Sequence, residues 1–288
     1  MDSSCLQYQL HISEPVPFST GEVAPNGDPR MYQPIASTLI HGTIDAVLVD
    51  PPMTVTQARQ VGDWIESTGK TLRYMYVTHG HGDHWFGAGP LLERFPGVPV
   101  LASAGTIEVM RFHASPEGRA IWESQFADLP TAHQIRQIVA TTPPGGVFDL
   151  ESHQLRIVDV GHSDTDSTTV LHVPSIDLVV AGDVVYNGVH QYLVEAADGG
   201  LRAWMNALEK VAALGPRHVV ASHKNPALPD LPETIAATRG YLADVETLAT
   251  QTGSALEFFE AMLKLHPDRL NPSALWFWGA LAMFPADG

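Results

Sequence analysis

Residues 78–85 read Thr-His-Gly-His-Gly-Asp-His-Trp. Three imidazoles and a carboxylate fall within six positions, separated only by glycines. Imidazoles fill a core poorly, and a cluster this dense would repel itself if protonated, so packing gives no reason for it. Metal ligation does. In an extended segment residues i and i+2 point the same way, so His79 and His81 can address one ion while Asp83 and His84, past Gly82, face a second. Glycines carry no Cβ and let the backbone approach closely. A catalytic zinc takes three protein ligands and leaves a position for water, so this stretch alone is half a site.

Working outward, the missing ligands have candidates where strands end. The β-rich run Leu72–Val77 delivers the chain into the histidine cluster. Downstream, His162 follows Ile157–Val160 and Gly161, Asp183 follows Leu178–Ala181 and Gly182, and His223 follows His218–Ala221 and Ser222. Each is an apolar run, a small residue, then a ligand-type side chain. A carboxylate at the end of a buried strand is costly unless a cation pairs with it.

The rest of the chain alternates strands and helices. Gln7–His11, Ile35–Ile40 and Ile44–Val49 read as strands around turns at Asn26–Gly27 and His41–Thr43. Val55–Thr68 and Ala104–Phe112 have helical spacing, Val98–Leu101 is strand-like, and residues 113–150 read as a helical insertion ending at the Thr-Pro-Pro-Gly-Gly stop of 142–146. Strands return at Leu155–Val160, Thr168–Val173, Leu178–Ala181 and His218–Ala221, with an amphipathic helix over Leu201–Leu214. A helical tail occupies 225–288, with helices at Leu231–Thr252, Ala255–Leu265 and Asn271–Met283. No low-complexity linker divides the chain, so 1–288 reads as one α/β domain.

The His-Gly-His-Gly-Asp-His run, with His162, Asp183 and His223 at strand ends, resembles the metallo-β-lactamase superfamily and its H-x-H-x-D-H signature over roughly residues 35–225. The resemblance implies an αβ/βα four-layer sandwich with metals at one edge of its two sheets. It implies His79, His81 and His162 at a first metal, Asp83, His84 and His223 at a second, and Asp183 bridging. This set is similar to the glyoxalase II and lactonase branches. The branch with cysteine at the second metal fits poorly, since Cys5 is the single cysteine and lies far from the motifs. Two Zn2+ are the expected cofactors, with Fe or Mn as alternatives because such ligand sets accept them. The implied chemistry is hydrolysis: the cations acidify a water toward about pKa 7 and polarise a substrate carbonyl, while Asp83 accepts a hydrogen bond from the nucleophile.

Composition narrows the partners. There are 16 Lys+Arg against 32 Asp+Glu, a formal charge of −16, which repels nucleic acid backbones and argues against the nuclease branches. No apolar stretch reaches the roughly 18–20 residues that span a membrane. The start lacks a signal-peptide pattern and a lone cysteine suits a reducing compartment, so a cytoplasmic protein acting on a small molecule is expected. Glyoxalase II sequences usually carry Pro-Gly-His near His162, absent here, and the tail offers only Arg239, Lys264 and Arg269 to grip an anionic thiol conjugate. A lactone or lactam is therefore the leading substrate class, with a thioester second and a phosphodiester third. Oxygen-reducing relatives need a flavin module for which 225–288 is too short, and a non-catalytic binder would be expected to have lost ligands.

Other residues carry weaker expectations. Tyr186 and His190 follow Asp183 and are candidates to donate to a substrate carbonyl, against a reading as loop packing. Asp164 and Asp166 can steady ligand imidazoles or be solvated turn residues. Lys224 reads as a solvated side chain rather than a substrate partner, and Trp85 as a wall of the cleft. His11, His41, His113, His133, His153, His172, His218 and His266 read as surface or locally bonded. The apolar run Asn271–Phe284 serves equally as pocket wall or as a homodimer contact.

Overall fold

A computed structural model describes residues 5–196 and 199–285; the first four and last three residues of the expected 1–288 domain, with 197–198, lie outside it. In chain order the elements are β1 (Gln7–Ser13), β2 (Val16–Pro17), β3 (Met31–Tyr32), β4 (Ile35–His41), β5 (Asp45–Val49), α1 (Val55–Ser67), β6 (Thr71–Tyr76), α2 (Ala88–Arg94), β7 (Val100–Leu101), α3 (Ala104–Ala114), α4 (Pro116–Glu123) and α5 (Ala132–Arg136). They continue as β8 (Ala140–Thr141), β9 (Val147–Leu150), β10 (His153–Gly161), β11 (Thr168–Val173), β12 (Leu178–Gly182), α6 (Gly200–Ala213), β13 (His218–Ala221), α7 (Glu233–Gln251) and α8 (Ala255–Leu265). The last helix begins as α9 (Pro272–Ala274), passes through a π-helical Leu275–Ala280 and closes as α10 (Leu281–Met283).

Two sheets form, in the orders β1-β4-β5-β6-β7-β8 and β13-β12-β11-β10-β9, with β2 and β3 as a separate ladder. The period-2 alternation of strand side chains builds the layers. In β5, Val47 and Val49 face the other sheet while Ala46 and Leu48 face the helices α1 and α2. In β12, Leu178 and Val180 turn inward, where Val179 and Ala181 meet the layer containing Trp204 of α6 and Leu242 of α7. Three apolar layers result: helix on sheet, sheet on sheet, and sheet on helix. That is the expected αβ/βα four-layer sandwich.

Residues 113–150 differ in part from the expected helical insertion. They hold α4 and α5 but close on β8 and β9, which add one edge strand to each sheet. The physical reason is burial: Phe148 and Leu150 alternate inward into the core between the sheets. Across that seam Glu151 accepts hydrogen bonds from the backbone N–H of Thr43 (2.8 Å) and Asp45 (2.7 Å), tying the β9–β10 turn to the β4–β5 turn.

Candidate metal centre

Five strand ends converge on one edge. β6 runs into 77–85, β10 into 162–167, β12 into Asp183, β13 into Ser222 and His223, and β5 into Asp50. Gly182 permits the turn at β12 with φ +55°, and a Cβ there would stand 2.6 Å from Thr78 Oγ1. The glycines of the histidine run serve close protein packing rather than approach to an ion. A Cβ on Gly80 would lie 2.4 Å from Val109 of α3, and one on Gly82 would lie 2.7 Å from Phe86.

His79, Asp83, His84, Asp183 and His223 are all buried here. His79 Nε2 lies 3.2 Å from His81 Nδ1. Asp83 Oδ2 lies 3.1 Å from His84 Nε2 and 3.3 Å from His223 Nε2. Asp183 Oδ2 is central, 3.2 Å from His223 Nε2, 3.5 Å from His84 Nε2 and 4.0 Å from His79 Nε2. Donors at about 2.1 Å around a tetrahedral ion stand about 3.4 Å apart, so these separations fit cations.

The outer nitrogen of each imidazole is already held, which turns the inner one toward the cluster. His84 Nδ1 donates to Asp50 Oδ2 (3.1 Å), His223 Nδ1 to the Pro34 carbonyl (3.0 Å) and His81 Nε2 to Glu195 Oε1 (3.3 Å). His79 Nδ1 lies 3.1 Å from Thr78 Oγ1, whose own hydroxyl donates to Asp50 Oδ2. Inside, both Asp83 oxygens, Asp183 Oδ1, Asp164 Oδ2 and His84 Nε2 are buried without a well-directed hydrogen bond. Buried acceptors left so are expensive, and a cation satisfies them together. Burial would raise the Asp83 and Asp183 carboxyls, but the imidazoles of His84 and His223 hold both well below the ordinary range. Burial likewise lowers His223, and Asp183 and Asp83 overcome it and lift that ring to about 10.

Three residues singled out in the sequence stand apart from the cluster or the cavity. His162 does not join the cluster: its Nδ1 bonds Asp166 Oδ1 (2.7 Å) and its Nε2 the Glu195 carbonyl (2.9 Å). Both ring nitrogens are thus turned toward protein partners and away from the cluster. Asp164 stands in the cluster instead, with Oδ2 3.2 Å from His81 Nδ1 and 3.7 Å from His79 Nε2. Tyr186 is buried, stacks on His223 and donates its O–H to Asp183 Oδ2 at 3.0 Å. It holds a cluster carboxylate rather than facing a substrate. His190 is buried against α7, its Nδ1 3.0 Å from Tyr241 Oη. Neither residue lines the cavity, because the loop after Asp183 folds inward beneath α7.

Smaller differences have the same origin in burial. Trp85 is core, its indole N–H bonded to the Gly80 carbonyl. Lys224 is buried and paired with Asp230. Asp50, Glu195 and His113 were missed. Asp50 ends the run Val47-Leu48-Val49 in the same strand-end pattern as the ligands, a signal that could have found it.

The cluster opens into a cavity of about 620 Å³. Tyr32 of β3, Trp122 of α4, Phe126 and Trp278 of the last helix form its aromatic wall, with Tyr32 ring centroids 5.3 Å from both Phe126 and Trp278. Glu108, Asp166 and Glu195 add acidic groups, and no lysine or arginine lines it among the described residues. His113 also lines it and accepts the Trp122 indole N–H at Nδ1 (2.9 Å). An indole only donates, so the neutral His113 ring carries its proton on Nε2. No described helix is long and apolar enough to cross a membrane.

The family model of the metallo-β-lactamase superfamily matches residues 32–223. The chain belongs to this superfamily. A hydroxyacylglutathione hydrolase from Synechococcus sp. (strain CC9902) is 27% identical over 177 residues, 59% of this chain and 58% of that protein. Another, from strain CC9605, is 36% identical over 72 residues, 25% of this chain and 27% of that one. The matched stretches thus span about half or less of these relatives. Among solved structures, a metallo-β-lactamase family protein from Thermus thermophilus has a TM-score of 0.62 at 20% identity, covering 95% of this chain and 91% of its own. A metallo-β-lactamase from Pontibacter korlensis has a TM-score of 0.57 at 18% identity, covering 82% and 99%. At these identities the structures speak for the fold.

Proposed function

We propose that the protein is a dinuclear, zinc-dependent hydrolase of a small, uncharged, fairly hydrophobic ester-like or amide-like substrate, with a lactone or lactam as the leading class. The observation that carries this reading is the cavity: aromatic walls, an acidic rim and no lysine or arginine among its described lining residues, opening directly on the histidine–carboxylate cluster. His79 and His81 would hold one ion and Asp83, His84 and His223 the other, with Asp183 between them. Bound there, two cations would acidify a water and polarise a carbonyl.

The chain's own groups do the rest. Asp83 Oδ1 has no partner and can accept a hydrogen bond from the attacking water, which orients it. Asp50, Glu195 and Tyr186 keep the cluster groups turned inward. Tyr32, Trp122 and Trp278 take the apolar part of the substrate and exclude water. His113, with Nε2–H available, is a donor on the cavity wall for a substrate oxygen or departing group.

Thioester hydrolysis is the second reading, supported by the similarity to the two Synechococcus hydroxyacylglutathione hydrolases. A glutathione conjugate is anionic and would meet the acidic rim unpaired. The two readings separate on a panel of an acyl lactone, a γ-lactam, a glutathione thioester and an aryl phosphodiester, followed by proton release on metal-loaded protein. Higher kcat/KM on the cyclic substrates, abolished by a chelator, is the expected result. Preference for the glutathione thioester would overturn the substrate class and leave the hydrolase.

A further inference from the structure

We propose that Asp164, not His162, is the third protein ligand of the first metal, and that His162 is instead a clasp holding the turn that carries Glu195. The inference rests on reading the cluster as a metal centre and changes its donor set. His79 Nε2, His81 Nδ1 and Asp164 Oδ2 form a triangle with sides of 3.2, 3.2 and 3.7 Å. All three atoms belong to side chains whose inward groups lack competing partners outside the cluster, and Asp164 Oδ2 is buried without a well-directed hydrogen bond. Asp164 is 1% exposed. A buried carboxylate aimed at two imidazole nitrogens is costly unless a cation joins them.

His162 has the opposite arrangement. Its ring nitrogens lie 2.7 Å from Asp166 Oδ1 and 2.9 Å from the Glu195 carbonyl, so both point away from the cluster. The contact is tight: a Cβ on Gly200 would stand 3.0 Å from His162 Nε2 and 2.5 Å from the Glu195 carbonyl oxygen. The clasp fixes the short helical turn Val194–Ala196. From that turn Glu195 reaches back to His81 Nε2 and accepts the Thr165 hydroxyl at 2.8 Å. The segment 162–166 thus supplies a ligand from Asp164 and, through His162, the support for the neighbouring ligand His81. Two imidazoles and a carboxylate make a harder donor set than three imidazoles, one that moves preference toward iron and manganese relative to zinc.

The test counts bound metal rather than turnover. Wild-type protein and the variants H162A, D164A, D164N and D164H are saturated with Co2+ alone, desalted, and assayed for metal equivalents and for the Co2+ d–d absorption spectrum. D164A and D164N are expected to hold one equivalent fewer than wild type. H162A is expected to keep the full complement with an unchanged spectrum. D164H is expected to recover the missing equivalent with a shifted spectrum, as imidazole replaces carboxylate. An H162A protein one equivalent short, beside full D164A and D164N proteins, would overturn the assignment. A wild-type protein that takes up no Co2+ would sink the metal reading itself, which is a separate result.

Discussion

At the scale of single residues, the cluster depends on side chains that never reach the cavity. Asp50 accepts from Thr78 N (2.9 Å), Thr78 Oγ1 (2.9 Å), His84 Nδ1 (3.1 Å) and Ser222 Oγ (2.8 Å). From the end of β5 it therefore orients residues at two other strand ends, those of β6 and β13. Replacing Asp50 with Asn is expected to weaken metal affinity by about 10- to 100-fold, the usual effect of losing an outer partner of a ligand; competition against a chromophoric chelator measures this. Tyr186→Phe removes one buried O–H bond to Asp183, which is expected to cost about 1–2 kcal/mol of stability. Because Tyr186 does not line the cavity, its KM should stay within about twofold of wild type while kcat falls. A large rise in KM would return Tyr186 to the substrate.

At the scale of elements, turns at strand ends decide whether the ligands meet. The β12 terminus turns at Gly182 with φ +55°, and Asp183 follows immediately. Gly182→Ala puts a side chain into a left-handed conformation and against Thr78, so a loss of about 1–3 kcal/mol is expected from the backbone alone. Denaturant unfolding checks the stability, and metal content of the folded fraction checks whether Asp183 has been displaced. The last helix also acts as an element of the site. Its π-helical stretch brings Trp278 to the cavity while Leu275 and Ala280 stay in the core. Trp278→Ala is expected to raise KM for a hydrophobic substrate about 10- to 100-fold, in keeping with about 1.5–3 kcal/mol for one large apolar contact, with metal content unchanged.

At the scale of the molecule, two sheets must hold their mutual register for five strand ends to share one edge. Glu151 is one fastening between them, and its backbone donors Asp45, Ile44 and Thr43 hold its carboxyl down to about 2 from the ordinary 4.5. A carboxyl depressed in the folded state adds stability that is complete above about pH 4.5 and is lost as the pH falls toward 2. Glu151→Gln should accordingly melt below wild type at pH 7, with the gap narrowing steadily under pH 4.5. A gap independent of pH would assign the effect to shape rather than charge. Glu151 is partly exposed, so solvent screening keeps the effect modest.

The short apolar runs Ile35–Ile40, Ile44–Val49 and Leu178–Ala181, alternating with helical spacings, were enough to read a sheet core covered by helices, because such patterns are local properties. The dense run at 79–84 likewise marked the centre, since no other chemistry explains those residue types at that spacing. What sequence could not decide was which neighbour of a strand end turns inward. His162 and Asp164 are two positions apart in one turn, and both are ligand types. Their roles follow from partners remote in sequence, Glu195 and His81, and from the close approach of Gly200. Glu195 was invisible for the same reason, since it acts through contacts with His81 and Thr165 made only when distant segments fold together. The cavity is the extreme case: Tyr32, Trp122 and Trp278 lie some ninety to two hundred and fifty residues apart in sequence, and only tertiary packing makes them one wall.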